Sequence, residues 1–330
     1  MRYVGLDVHK EFCQASVLND DGEEILNTRI PASIDSLNGF LDGFQEAVFV
    51  LESTNVWEWY YQTIESAGFD VKLAHPLQVK AIANARVKTD KVDARTLAEL
   101  LRAGMIPESY VPARDIRDLR EALRTRASLV QDATSIKNRI HAKTLRRGLV
   151  KPEEMCNFTR SHREWLRSMH IITIDHLLNT LEAVESEIKD INQSLKAQYE
   201  ARQDAQLISE IPGIGWYGAL TILAEIGDVN RFPDAEHLAA YAGLVPTVHQ
   251  SANSCYYGHI SKQGSKYMRW ILVEAVHIHV RTAPESSLSR FFKRKASRSK
   301  KNIATIATAR KMAVAIFHML SKQEHFRITG

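Results

Sequence analysis

The 330-residue sequence is 45% apolar and 25% charged, ordinary usage for a globular chain, which excludes a collagen-like or wholly disordered polymer. Its formal net charge is only +4, so any strong electrostatic feature must come from local clustering. No uninterrupted apolar run approaches the roughly 18 residues of a membrane helix. Asp7 and Glu11 stand where an export signal would place its apolar stretch. The three cysteines, Cys13, Cys156 and Cys255, are odd in number, far apart and without CxxC spacing. They predict neither a disulfide framework nor a zinc ribbon and fit a reducing, cytoplasmic setting away from membranes.

The first third alternates as an α/β unit. Strands are expected at Arg2–Val8, Phe12–Leu18 and Glu24–Ile30, with Asn19-Asp20-Asp21-Gly22 as a hairpin turn. A helix over Ile34–Phe44 precedes a buried strand at Ala47–Leu51. Another helix over Trp57–Ala67 leads to a strand at Asp70–Ala74, stopped by His75-Pro76, and Thr89–Ala103 is helical. Three meandering strands followed by αβαβα is the order of ribonuclease-H-like domains, although other mixed sheets share parts of it. In the middle, Arg114–Arg147 and Ile174–Tyr199 carry heptad-like apolar spacing, separated by a polar break at Gly148–Arg163. Such helices form a hairpin or coiled coil that pairs subunits, or pack within one chain. The expected organisation is an α/β domain over residues 1–110, a long-helix coiled-coil region over 111–205 and a mostly helical domain over 206–330.

The last third opens with Ile211-Pro212-Gly213-Ile214-Gly215 before an apolar helix through Ala219–Ile226. Gly213 and Gly215 resemble a helix-hairpin-helix turn, whose backbone N–H groups can meet a phosphate; a sharp structural turn is the alternative. Thr247–Gly258 reads as a polar loop containing Ser251 and Ser254. It leads to His259-Ile260-Ser261-Lys262-Gln263-Gly264-Ser265-Lys266-Tyr267-Met268-Arg269, where Lys262, Lys266 and Arg269 can neutralise a phosphate. A serine needs help to act as a nucleophile, and these residues alone do not single out Ser251.

Two acid-free basic blocks stand out against the nearly balanced charge. One holds Lys137, Arg139, Lys143, Arg146, Arg147 and Lys151; the other holds Arg290, Lys293, Arg294, Lys295, Arg298, Lys300 and Lys301. Clusters of this kind release counterions from nucleic-acid phosphates, giving salt-sensitive binding. Solvated helix faces are the plainer explanation of either block alone. Four acids invite a metal reading. Asp7 and Glu52 close two predicted strands, and Asp90 and Asp93 share a helix face three residues apart. Each has a plainer role as a turn, cap or ion-pair residue. Together they form a set of hard oxygen ligands suited to Mg²⁺, which can stabilise attacking and leaving oxygens in phosphoryl transfer.

Taken together, GLDVHK around Asp7, LEST around Glu52, KTDKVDA around Asp90 and Asp93, IPGIG, AAYAGLVP and HISKQGSKYMR resemble the IS110-family transposases, also called bridge recombinases. The resemblance covers nearly the whole chain. It implies a RuvC-like DEDD domain with Asp7, Glu52, Asp90 and Asp93 on its four acids, and a C-terminal transposase domain. It places Ser251 at the family's serine, with Ala252 where glycine is usual and Ser254 as the fallback. It further implies a phosphoserine recombination mechanism assisted by Mg²⁺, donor and target DNA as substrates, a noncoding bridge RNA as guide, and a homo-oligomer, dimer or tetramer. Alternative functions are a RuvC-like metal-dependent junction nuclease, in which water attacks, and a non-catalytic nucleic-acid scaffold.

Overall fold

Nearly continuous burial marks the central strands of the first sheet, which is covered on both faces. The computed structural model describes residues 1–83, 89–251 and 254–328, with the strand residues among 248–257 as backbone only. Lys88 of the KTDKVDA segment and Ala252 fall outside the described residues. The chain divides into two compact units, Met1–Val111 and Pro112–Gly330. Thirteen α-helices and two sheets are found among the described residues, so the protein is mixed α/β and mostly helical.

In the first unit, β1 (Arg2–Val8), β2 (Phe12–Leu18) and β3 (Glu24–Pro31) form an antiparallel meander. The expected turn joins the second pair: Gly22 adopts φ +87°, and its N–H donates to the Asn19 carbonyl at 3.1 Å. After α1 (Ile34–Leu41), β4 (Ala47–Glu52) adds parallel to β1; after α2 (Trp57–Ser66), β5 (Asp70–Ala74) adds parallel to β4. The order β3-β2-β1-β4-β5 is consistent with the ribonuclease-H-like expectation.

Period-two alternation gives the sheet two distinct faces. Val4, Leu6, Phe49 and Leu51 enter a core with Leu37 of α1 and Tyr60 and Ile64 of α2. On the opposite face, Val50 packs with Leu97, Leu100 and Leu101 of α4 (Asp90–Arg102). That face also covers α3 (Pro76–Ile82), a helix absent from the sequence reading. There His75-Pro76 was expected only to stop a strand, whereas proline at the first helical turn also starts a helix.

Gly5 fixes how closely α4 lies on β1. A Cβ there would stand 2.1 Å from the Ala94 carbonyl oxygen and 2.6 Å from the Ala98 nitrogen, both helix backbone. Only glycine allows this approach.

In the second unit, α5 (Arg114–Arg146) and α7 (Ile172–Glu200) run antiparallel. Arg202 meets Asp115 at 3.2 Å, Arg126 meets Asn192 at 3.1 Å and Lys137 meets Glu185 at 2.9 Å. Ala133, Ile136 and Ile140 pack with Ile174, Leu178 and Leu181, so much of the apolar seam closes within one chain. The expected break at Gly148–Arg163 extends too far: α6 (Arg160–Ser168) begins inside it and buries Leu166 in the same seam. The larger core gathers α8 (Gln203–Ser209), α9 (Trp216–Ile226), α10 (Ala235–Tyr241), α11 (Lys266–Thr282), α12 (Ser287–Ala296) and α13 (Lys301–Lys322). By length and hydropathy α13 passes as a membrane span, but half of its most apolar window is buried here, with Ala309, Met312 and Ile316 fully covered.

The polar segment read as a loop is instead a hairpin, β6 (Pro246–Ser251) and β7 (Ser254–Ile260). A two-stranded ribbon needs no continuous apolar face, so the polarity misled; Thr247, Val248, Tyr256 and Tyr257 are the strand formers that the loop reading underweighted. We expect Gly5→Ala to destabilise the first unit by about 1–3 kcal/mol, as overpacking does. Urea denaturation measures this; an unchanged midpoint would show that α4 can lift without cost.

Candidate active site

Parallel register brings Asp7 and Glu52 to the same end of neighbouring strands. Leu6 pairs with Leu51, so the following residues of β1 and β4 stand side by side where the strands finish. Both lie on the face covered by α4. The Thr89 hydroxyl caps that helix by accepting from the Val92 N–H at 3.3 Å, which places Asp90 and Asp93 in its first turn. Acids are favoured there by the helix dipole. The seating over Gly5 sets this helix start beside the strand ends. Asp7, Glu52, Asp90 and Asp93 consequently line one cleft of about 440 Å³, with Val79 and Lys80 of α3 on its wall.

A histidine and an arginine complete the surroundings. His9 Nε2 lies 3.1 Å from Asp7 Oδ2 and 3.8 Å from Asp90 Oδ1. Arg29, from β3, lies 3.8 Å from Asp90 Oδ2 and places its guanidinium 3.8 Å from the Phe12 ring centre. The His9 and Phe12 rings are 4.7 Å apart. Asp7, His9 and Asp90 present one ligand atom each within 4.8 Å of one another. Burial pushes the Asp7 carboxyl above its ordinary value; His9 opposes this, while Asp93 and Asp90 add to it. The donor set fits a hard divalent cation, because clustered carboxylate oxygens that repel one another gain most from such a charge. Sequence reasoning had quoted His9 only as part of GLDVHK. Its signal was parity: two residues beyond Asp7, it continues the same side of the strand. Arg29 had no comparable local signal, since strand pairing brings it from another segment.

In the second unit, Ser251 ends β6 and Ser254 begins β7, and the two pair at the hairpin tip. Gly243 and Gly264 pin the segment that follows the hairpin. A Cβ on Gly264 would stand 2.0 Å from the Tyr241 carbonyl oxygen, and one on Gly243 would stand 2.6 Å from the Gln263 carbonyl oxygen. Lys262 is exposed and Lys266 opens α11, whose Ser265 cap accepts from the Met268 N–H at 3.0 Å. Arg269 donates to the Ala242 carbonyl at 3.0 Å, an internal use of its guanidinium.

Gly213 also has an internal use. At φ +101°, its missing Cβ leaves room for the backbone of α11, 2.5 Å from the Ala275 carbonyl oxygen. The adjacent Pro212 carbonyl accepts from His279 Nδ1 at 2.7 Å. Gly215 is exposed at the start of α9. In the basic blocks, Lys137 is engaged by Glu185 at 2.9 Å, whereas Arg139, Arg146 and Arg147 are exposed along the end of α5. Lys143 is half-buried, and Arg290, Lys293, Arg294 and Lys295 are exposed on α12.

A transposase family model of the IS110 DEDD type matches residues 4–147, and the model described as "Transposase IS116/IS110/IS902 family" matches residues 205–291. The chain is 27% identical to the transposase for insertion sequence element IS1111A of Coxiella burnetii, over 99% of this chain and 92% of that protein. It is 24% identical to a probable family 20 transposase of Pseudomonas aeruginosa, over 98% of both chains. Identity to the transposase for IS1328 of Yersinia enterocolitica is 23%, over 94% of each. Sheet, acidic cleft and matches together define an insertion-sequence DNA transposase, a catalyst of phosphoryl transfer. The chain belongs to the IS110 family.

The raised Asp7 value sets a sign for stability. Folding tightens proton binding at this carboxyl, so its ionisation opposes folding. The cost is absent below the ordinary value of 3.8, grows as pH rises from there to the raised folded value and is constant above it. Without divalent cations, Asp7→Asn is expected to raise the melting temperature at neutral pH. The difference should close towards pH 4 in differential scanning calorimetry. Equal melting temperatures at neutral pH would show that this carboxylate carries no strain.

Proposed function

We infer that the protein is an RNA-guided DNA recombinase that cuts and rejoins DNA through a phosphoserine. The observation that carries the reading is the meeting of Asp7, Glu52, Asp90 and Asp93 in one cleft. Those four residues would hold Mg²⁺, which when bound supplies charge stabilisation at a reacting phosphate. The remaining roles fall to the chain itself. Asp7 and Glu52 are presented by rigid strand ends, and Asp90 and Asp93 by a capped helix start, so the carboxylates are pre-positioned. His9 and Arg29 keep Asp7 and Asp90 oriented while they carry charge.

Ser251 is the assigned nucleophile, with Ser254 beside it in register as the fallback. Its hydroxyl oxygen forms a bond to phosphorus, its proton departs, and a phosphorus–oxygen bond to deoxyribose breaks to leave a free sugar hydroxyl. Attack by the hydroxyl of the recombining strand reverses the step and restores the serine. Bond energy is kept in the ester, so no nucleotide triphosphate is consumed. Residues 1–110 act as the RuvC-like DEDD domain, 111–205 as the long-helix region that assembles a dimer or tetramer, and 206–330 as the transposase domain. Lys262 and Lys266 serve DNA or RNA beside the serine hairpin, and Gly215 offers the exposed start of α9 to a phosphate; Gly213 and Arg269, expected to join them, are already used within the protein. Lys137, Arg139, Lys143, Arg146 and Arg147, with Arg290, Lys293, Arg294 and Lys295, contribute backbone contacts whose number sets the salt dependence. A noncoding bridge RNA would pair with donor and target DNA in the cytoplasm, leaving the protein to read backbone and shape.

The test combines the full-length protein, DNA flanking its element, the adjacent noncoding transcript and Mg²⁺. Recombinant junctions and a denaturation-resistant protein–DNA adduct are expected. Ser251→Ala should abolish both, and Asp7→Asn should lower recombination by at least about 100-fold, as loss of a metal-oriented centre does. Strand cleavage without an adduct would favour attack by water, and an adduct surviving in Ser251→Ala would move the nucleophile elsewhere.

A further inference from the structure

A second concavity, in the Pro112–Gly330 unit, has a different chemistry from the acidic cleft. It encloses about 730 Å³ between the base of the serine hairpin and helices α12 and α13. Its floor is apolar: Ile303, Ile306 and Ala307 come from α13 and Phe291 from α12. Ile303 is 51% exposed, so part of this floor is open to solvent. The rim is cationic, with Lys262, Lys295, Arg310 and Lys311 around that floor. The rim acid Glu236 is taken up by an ion pair with Arg310. Lys311 places its ammonium 4.9 Å from the centre of the Phe291 ring, and the Arg294 guanidinium stands 5.8 Å from the same centre.

The rim is built rather than incidental. Lys262 holds the left-handed conformation at φ +54°, unfavourable for a side-chain-bearing residue. The close backbone approaches at Gly243 and Gly264 hold it there. Strain retained at a single exposed lysine points to a position that matters.

We propose that this groove receives an unpaired base of the DNA substrate, its flat face on the Phe291–Ile303–Ile306 floor and its flanking phosphates on the rim cations. Charge complementarity decides the occupant. An aliphatic ligand would satisfy the floor and leave Lys262, Lys295 and Lys311 unmatched. A duplex would satisfy the cations, but its bases are stacked away from the floor. An unstacked nucleotide offers both a π-face and an adjacent anion, the combination used in single-strand recognition. The base of the hairpin, at the Pro246–Ile260 pair, forms one wall, and Ser251 lies five residues further along β6, roughly 17 Å at strand rise. A base held in the groove anchors the strand within a few nucleotides of the hairpin tip. The identity of the polymer rests on the transposase family; the groove itself does not depend on the serine or metal chemistry proposed above.

Binding of the full-length protein to a short unstructured oligodeoxynucleotide, measured in EDTA, tests this. The oligonucleotide carries a fluorescent adenine analogue that responds to unstacking. Replacing a run of its bases by abasic sites should weaken binding to the parent protein about tenfold. Ala307→Trp, which fills the floor without removing charge, should weaken the intact oligonucleotide by a similar factor. It should also erase the fluorescence response and leave the slope of log K against log salt unchanged. Abasic and intact strands binding the parent equally would overturn the proposal, and this arm needs no variant to fold. Tighter, Ala307→Trp-sensitive capture of the same-sequence RNA, or of an acidic apolar peptide, would overturn it in favour of that ligand. Since no cleavage is read, failure here is separable from failure of the phosphoserine mechanism.

Discussion

The close seating of α4 on β1 at Gly5 underlies the acidic cleft. Two of the four carboxylates come from strand ends and two from a helix start, and nothing in the covalent chain keeps them together. Their meeting depends on one helix lying almost in backbone contact with one strand. A side chain of any size at Gly5 would hold the helix off and widen the mouth of the cleft. The hydrophobic face of α4, with Leu97, Leu100 and Leu101, supplies adhesion, but adhesion alone does not set distance.

Electrostatics works against that geometry in the absence of a counter-charge. Burial raises the proton affinity of Asp7, and the neighbouring Asp93 and Asp90 add to it. His9 and Arg29 stand next to these acids, and both side chains lie against the Phe12 ring. The helix start contributes a further favourable field through its unpaired N–H groups. Such an arrangement trades stability for readiness to receive positive charge.

Much of the first sheet was legible because its code is local. Strand alternation, the Asn19–Gly22 turn and the acids at strand ends follow directly from residue order. His9 was visible but unweighted, since parity along a strand does not say what lies opposite. Arg29 and the Gly5 contact were not legible, because both depend on segments tens of residues away. In the second unit the glycines of IPGIG drew attention to phosphate, whereas Gly213 is required by the neighbouring backbone of α11. A sequence can mark a glycine as necessary without saying whether ligand or protein crowds it. The hairpin holding Ser251 and Ser254 was hidden by polarity, which strands of a small ribbon tolerate.

The parallel pairing of β1 with β4 carries one more implication. Sliding β1 by two residues would return every apolar side chain to its proper face, so burial alone hardly discriminates the shifted sheet. That slip would nevertheless part Asp7 from Glu52 by nearly 7 Å. It would also bring a side chain, not bare backbone, beneath the helix. The notch at Gly5 therefore disfavours a slip of β1 that hydrophobicity would accept.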